Sequence, residues 1–196
     1  MSRRWLSSVP KWIRRARLGL SNTFVALFVG SGHQPNSDAV REILRIAPEC
    51  SEMRFLIMGG VVGFFAGWPL PKNLGFMGQV DDETKDVVLS TVDCAINPMA
   101  QGSGTNLKML EYFASGVPVI SSPHGARGLA VAGDTHLTLC EISDFAQALR
   151  RLKVEINGPA VHERIRDARL LVEDRYAWPV IVRDFRTRVA ALGYTC

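Results

Sequence analysis

An α/β fold built on one doubly wound parallel sheet is what these 196 residues predict, on three observations. Strand and helix signals alternate along the chain from residue 23 onward. The strand runs, such as TFVALFV (23–29) and RFLIM (54–58), are continuously apolar instead of alternating with polar residues. Strands buried on both faces read this way, because helices cover both sides of a parallel sheet. Finally, the glycine-rich loops GSGHQPN (30–36) and QGSGTN (101–106) each follow a strand, and ligands of such folds sit at the carboxyl ends of the strands.

The elements follow in order. After the first strand, SDAVREILRIAP places Val40, Ile43, Leu44 and Ala47 at i, i+3, i+4 and i+7, predicting a helix capped by Ser37 or Asp38. RFLIM is the second strand, closed by Gly59 and Gly60, and residues 61–72 read as irregular. NLGFMG (73–78) predicts a short third strand. Asp81 or Asp82 caps a helix carrying Val87, Val88 and Val92, and CAINPM (94–99) is strand four. A helix from Thr105 to Ser115 is expected next, with Leu107, Leu110 and Ala114 as its packed face and Gly116 as its stop. PVIS (118–121) is strand five and HLTLC (136–140) a sixth. From Ser143 the pattern is helical: Phe145, Ala148, Leu149 and Leu152, then helices over roughly 160–174 and 178–192.

Composition mainly excludes. The chain is 47% hydrophobic and 21% charged, ordinary for a soluble globular protein. Its net charge of +4 is concentrated at the start, where Arg3, Arg4, Lys11, Arg14, Arg15 and Arg17 precede the first acid, Asp38. The body is slightly acidic and lacks basic residues interleaved with aromatics, so no nucleic-acid partner is expected. Trp5 and Trp12 among those basic residues suit a membrane surface, but Pro10 interrupts any helix there, and a solvated linker is the better reading. The start has no apolar core of a secretory signal. The four cysteines form no CxxC pair, Cys94 and Cys140 lie in apolar runs, and a cytoplasmic location is expected. His33, His124, His136 and His162 have no ligand spacing, so no metal is expected. Ser121, Ser122 and His124 lack the G-x-S-x-G elbow of a hydrolase and read as the end of a strand.

Two features carry chemistry. Gly102 and Gly104 permit a tight turn after strand four, bringing backbone N–H groups to a helix start, where a phosphate is held by unpaired donors and the helix dipole. The spacing is neither a P-loop nor a full GxGxxG, since Leu107 occupies the last position, so a plain strand-to-helix turn is equally compatible. Glu111 lies one helix-length behind these glycines, on the flank shared with Lys108. It is either a solvated partner of that lysine or an acceptor for two vicinal hydroxyls, as acidic residues are for ribose.

In that order, VALFVGSGHQPNSDAV, RFLIMGG, NLGFMGQVDDE, DCAINPMAQGSGTNLKMLEYFASGVPVISSPHGARGL and VEDRYAWPVIVRDF resemble the nucleotide-sugar-binding half of glycosyltransferase family 4, retaining enzymes of the GT-B fold. The resemblance covers roughly residues 16–192 and is most specific over 102–129. It implies a basic linker over 1–22, a Rossmann-like donor-binding domain over 23–175 and, over 176–196, a C-terminal helix with Trp178, Val180, Ile181 and Phe185 that crosses to an amino-terminal domain. It implies that Glu111 holds the donor ribose. The diphosphate, and often the donor sugar's hydroxyls, fall to Gly104, Thr105, Asn106 and Leu107, Gly30 and Ser31 also count among the donor-binding residues, and Gly78, Gln79 and Val80 lie near the base.

The sequence departs from that pattern in three places. Ser103 stands where many members carry a Glu that contacts the donor sugar. The loop after strand one supplies His33 and Asn36 in place of an Arg and a Lys, leaving Lys108 as the substitute cation. An acceptor-binding domain of some 150–200 residues, the usual domain size, would precede Arg17. The chain is therefore expected to be a truncated fragment or a half-enzyme that works with a separate partner or self-associates. The expected function is retaining transfer from a nucleotide-sugar without a metal cofactor; the alternative is a non-catalytic nucleotide-sugar-binding or interaction module.

Overall fold

The computed structural model describes residue 11, residues 15–16 and residues 19–192; the expectations for Trp5, Pro10 and Trp12 lie outside the described residues. Six parallel strands form one sheet: β1 (Phe24–Val29), β2 (Met53–Met58), β3 (Leu74–Gly78), β4 (Cys94–Asn97), β5 (Val119–Ser121) and β6 (Thr138–Leu139). Their order is β3-β2-β1-β4-β5-β6. The chain builds outward from β1 to β3 and then returns to β1's other side with β4. This reversal opens a crevice above the carboxyl ends of β1 and β4, the place where such sheets bind ligands.

Both sheet faces are covered, as the apolar strands require. On one face Phe28, Phe55 and Ile57 pack with Val40, Ile43 and Ala47 of α1 (Gln34–Glu49) and with Phe145 and Leu149 of α5 (Phe145–Glu155). On the other face Val25 and Leu27 meet Val88 of α2 (Asp82–Leu89), Met109, Tyr112 and Phe113 of α3 (Lys108–Ala114), and Ala168 of α6 (Pro159–Arg175). Each large side chain removed from water contributes roughly 1.5–3 kcal/mol. The short α4 (Pro123–Ala126) follows β5, capped by Ser122, and α7 (Trp178–Ala191) closes the described chain. Ser121 ends β5, so the two serines serve the strand end and the cap.

Two helices differ from expectation. Helix α1 starts at Gln34, so neither Ser37 nor Asp38 is its cap. Pro35 fits the first turn, whose N–H groups lack partners anyway. Ser37 is instead buried, and Asp38 pairs with Arg41. Helix α3 begins at Lys108, three residues late, because turn-type hydrogen bonds from Leu107 to Thr105 and from Met109 to Asn106 occupy the segment before it. Its packed face is Met109, Tyr112 and Phe113, whereas Leu107 is 66% exposed and Ala114 is exposed. Seven residues make two turns, too few for periodicity to fix the face. Gly116 ends the helix at φ 69°, as its stop role requires.

The other elements fall close to their predicted places. Asp81 caps α2 by accepting the Thr84 N–H at 2.7 Å. Within 61–72 the chain makes one 3-10 turn, Gly60–Phe65. Cys94 is buried and Cys140 partly so, both as free thiols. No described helix is long and apolar enough to cross a membrane. No residue of α7 is buried, and Trp178 and Phe185 are 75% and 63% exposed.

Candidate functional site

The crevice at the switch of strand order is a cleft of about 710 Å³. One wall is the loop after β1, with Gly30 and Ser31, leading into α1 with Asn36. The other is the loop after β4, Gln101 to Leu107, leading into Lys108 and Glu111 of α3. Lys85 of α2 and Arg127 after α4 complete it. Of the residues expected from sequence, Gly30, Ser31, Ser103, Gly104, Thr105, Asn106, Leu107, Lys108 and Glu111 therefore meet in one place. Gly78, Gln79 and Val80 do not line it. They sit beyond β3, where the Gly78 carbonyl accepts the Gly59 N–H at 2.6 Å and Val80 packs against the α2 side of the core.

The β4 loop is tied down by its own polar groups. Asn106 Nδ2 donates to the Gly125 carbonyl at 2.9 Å, and Arg127 Nη2 donates to the Gly104 carbonyl at 2.8 Å. Gly128, at φ 77°, lets the chain pass beside Thr105: a Cβ there would come to 2.5 Å of Thr105 Oγ1. Thr105 to Leu107 are thus loop residues ahead of the helix, and all three line the cleft.

Glu111 sits on the rim with its side chain 48% exposed. Its Oε1 accepts from Lys85 Nζ at 3.3 Å, and Lys85 also meets Asp82 at 3.1 Å. Burial works against the Lys85 charge, yet Asp82 and Glu111 together hold its pKa above the ordinary value. Neither sequence alternative anticipated this pair: Glu111 is salt-bridged across helices to Lys85, and Lys108 is turned elsewhere. Lys108 Nζ donates to Asn36 Oδ1 at 2.7 Å and lies 4.1 Å from the centre of the Phe28 ring. Burial lowers its pKa to about 7.

Lys85 and Arg127 escaped the sequence reading. Each reaches the cleft from a separate element, 26 residues before and 23 residues after its partner in the loop or helix, and no local spacing encodes that meeting. The only available signals were the Asp81 cap, four residues ahead of Lys85, and the Arg127-Gly128 pair. Among the described residues no group of three or more His, Cys, Asp or Glu is arranged to hold a metal ion.

A Rossmann-like sheet with a polar, cation-bearing cleft at its switch point defines the class: an α/β protein built to take a ligand above β1 and β4. The family model for glycosyl transferases group 1 matches residues 23–153, two-thirds of the chain, and the chain belongs to that family. It is 26% identical over 183 residues to a phosphatidyl-myo-inositol mannosyltransferase of Mycobacterium leprae, covering 90% of this chain and 48% of the relative. The chain thus spans about half the length of that relative. Among solved structures, the C-terminal domain of a glycosyl transferase group 1 protein from Francisella tularensis aligns over 87% of this chain and 95% of its own, with TM-score 0.65 and 14% identity. HepE from Anabaena, solved in complex with UDP, aligns over 97% of this chain and 54% of its own, with TM-score 0.75 and 13% identity. These structural likenesses establish the fold.

Proposed function

We propose that the chain is the C-terminal, donor-binding half of a retaining GT-B glycosyltransferase of family 4, holding a nucleotide-sugar in the cleft between β1 and β4. The observation that carries this is the joint placement of Glu111 on the rim and Lys108 on the floor of one cleft, at the switch of strand order. A ribose on Glu111 donates two hydroxyl hydrogen bonds to the carboxylate. The attached diphosphate then runs inward toward Lys108, Thr105 and Arg127, which supply positive charge and donors in place of a metal. As the bond from the sugar's anomeric carbon to the diphosphate breaks and the acceptor's oxygen bonds to that carbon, negative charge builds on the departing diphosphate, and cations held there lower the barrier. That HepE was crystallised with UDP in the same fold supports the ligand class.

The acceptor wall would come from the second domain of a GT-B enzyme. A cytoplasmic setting belongs to the same reading, in keeping with the free thiols of Cys50, Cys94 and Cys140. Ser103, in place of a sugar-contacting Glu, favours one second reading: a module that binds nucleotide-sugar without transferring it.

Calorimetric titration of the purified chain with UDP, GDP and ADP, and with the matching nucleosides, tests the proposal. One diphosphate should bind, and its nucleoside should bind at least about tenfold more weakly, given the strength of charge-assisted hydrogen bonds. Absence of binding by every nucleotide and nucleotide-sugar at millimolar concentration would refute it.

A further inference from the structure

Lys108 is the one cleft lysine whose neighbours include no carboxylate within ion-pair distance among the described residues. Lys85 has Asp82 and Glu111, whereas Lys108 Nζ has a neutral amide oxygen and an aromatic face. The amide is fixed in that orientation. Asn36 Nδ2 donates to the Ser31 carbonyl at 3.0 Å and to Ser31 Oγ at 3.2 Å, which turns Oδ1 toward the lysine. A partly buried ammonium without a counter-ion is costly, and a single neutral acceptor leaves two of its three donors for the cleft.

Resting on the nucleotide-sugar reading, we propose that Lys108 is the anion-holding group of the cleft and is charged by its ligand: above pH 7 it stands mostly neutral in the empty site and takes up a proton as the diphosphate docks. Asn36 orients the amine in the empty state, and a phosphate oxygen supplies the missing counter-charge in the filled one. The proton comes from solvent, forms the third N–H of the ammonium, and is released when the nucleotide leaves.

The charged and titratable groups around the cleft do not duplicate this behaviour. His33 precedes α1, and Asp38 on α1 is engaged by Gln34, Arg41 and Gln101. Glu111, on the same helix as Lys108, is held by Lys85 of α2. Arg127, after α4, is held by the Gly104 carbonyl. Burial alone brings Lys108 to about 7, so an incoming anion raises its pKa again. The sign follows: the bound state holds more protons than the free state above pH 7, so affinity falls as pH rises from 7 toward the pKa of the bound lysine. Below pH 7 the dependence on this residue flattens.

The test is titration calorimetry of the full chain at pH 8 in buffers of different ionisation enthalpy, with UDP and GDP as probes and inorganic pyrophosphate beside them. The phosphates are fully ionised there, since their last pKa is about 6. Wild type should take up close to one proton per anion bound. Lys108→Met should bind at least about tenfold more weakly with no proton uptake. Lys108→Arg should restore binding without uptake, because its charge is permanent. Glu111→Ala should weaken the nucleotides but leave both proton uptake and pyrophosphate binding intact. Binding of either nucleotide by wild type without proton uptake overturns the proposal, as does equal affinity of Lys108→Met. If neither nucleotide binds, the nucleotide reading fails, and pyrophosphate decides for Lys108: proton-linked binding upholds the anion subsite, and no binding removes it.

Discussion

Glu111 and Lys108 are three residues apart, yet each finds its partner on a different element, and that separation decides what each can do. Had they paired with one another, the cleft would hold a neutral couple worth a few tenths of a kcal/mol. Instead Lys85 takes only Oε1 of Glu111, and no described donor bonds Oε2, which leaves that oxygen for a ligand hydroxyl. Removing the carboxylate therefore separates two accounts. If Glu111 serves only the exposed Lys85 pair, Glu111→Ala costs little, and alanine's helix propensity offsets part of that. If it holds ribose, the loss of charge-assisted hydrogen bonds is roughly 1.5–3 kcal/mol, about ten- to a hundred-fold in nucleotide affinity. We expect the second result by calorimetry, with unchanged thermal stability. Glu111→Gln should lose less, since one acceptor oxygen remains, and a 2′,3′-dideoxynucleotide should bind wild type and Glu111→Ala alike. Equal affinity of both proteins for the intact nucleotide would remove the ribose assignment.

Strands and most helices were legible because burial on two faces leaves an unambiguous apolar run: Val25 to Phe28 and Ala95 to Ile96 are wholly buried. The start of α1 was misplaced because Ser37 and Asp38 look like caps, whereas the actual first turn uses Pro35 and no side-chain cap at all. The face of α3 was misread for lack of length. Of the cleft, the two loops and Glu111 were visible in sequence, since loops after parallel strands converge by topology. The ties of Lys85 and Arg127 were not, because side-chain meetings between distant elements leave no local pattern. Element α7 shows the opposite case, an apolar face legible in sequence that the fold does not cover. Trp178, Ile181, Val182 and Phe185 stay exposed, and exposed apolar patches favour association. Sedimentation should show concentration-dependent self-association, which Trp178→Ser with Phe185→Ser abolishes while the melting temperature holds. A strict monomer at high concentration would show that α7 finds another resting place.

Across the whole molecule, charge and function are separated. The described basic residues at the start are spent at the amino end of β4: Arg15 Nη1 meets Asp93 Oδ2 at 2.7 Å, and Lys11 Nζ donates to the Val92 carbonyl at 2.7 Å. That is the end of the sheet opposite the cleft, so the net charge of +4 says little about the ligand, and the basic side chains of the cleft, Lys85, Lys108 and Arg127, say more. The cleft's walls are the β1 and β4 loops, α2 and α3, all of which converge on the place proposed for the donor. Nothing among the described residues rises over the cleft to fix an acceptor. Holding two reactants in line supplies about 7–11 kcal/mol of a transfer barrier. The purified 196-residue chain should therefore bind a nucleotide-sugar and hydrolyse it only slowly, water taking the place of the acceptor. Transfer measured with radiolabelled donor should rise by orders of magnitude only when a protein carrying the acceptor-binding domain is added. Efficient transfer by the chain alone, at the rate of the complemented mixture, would mean that α7 or a second copy already builds the acceptor wall.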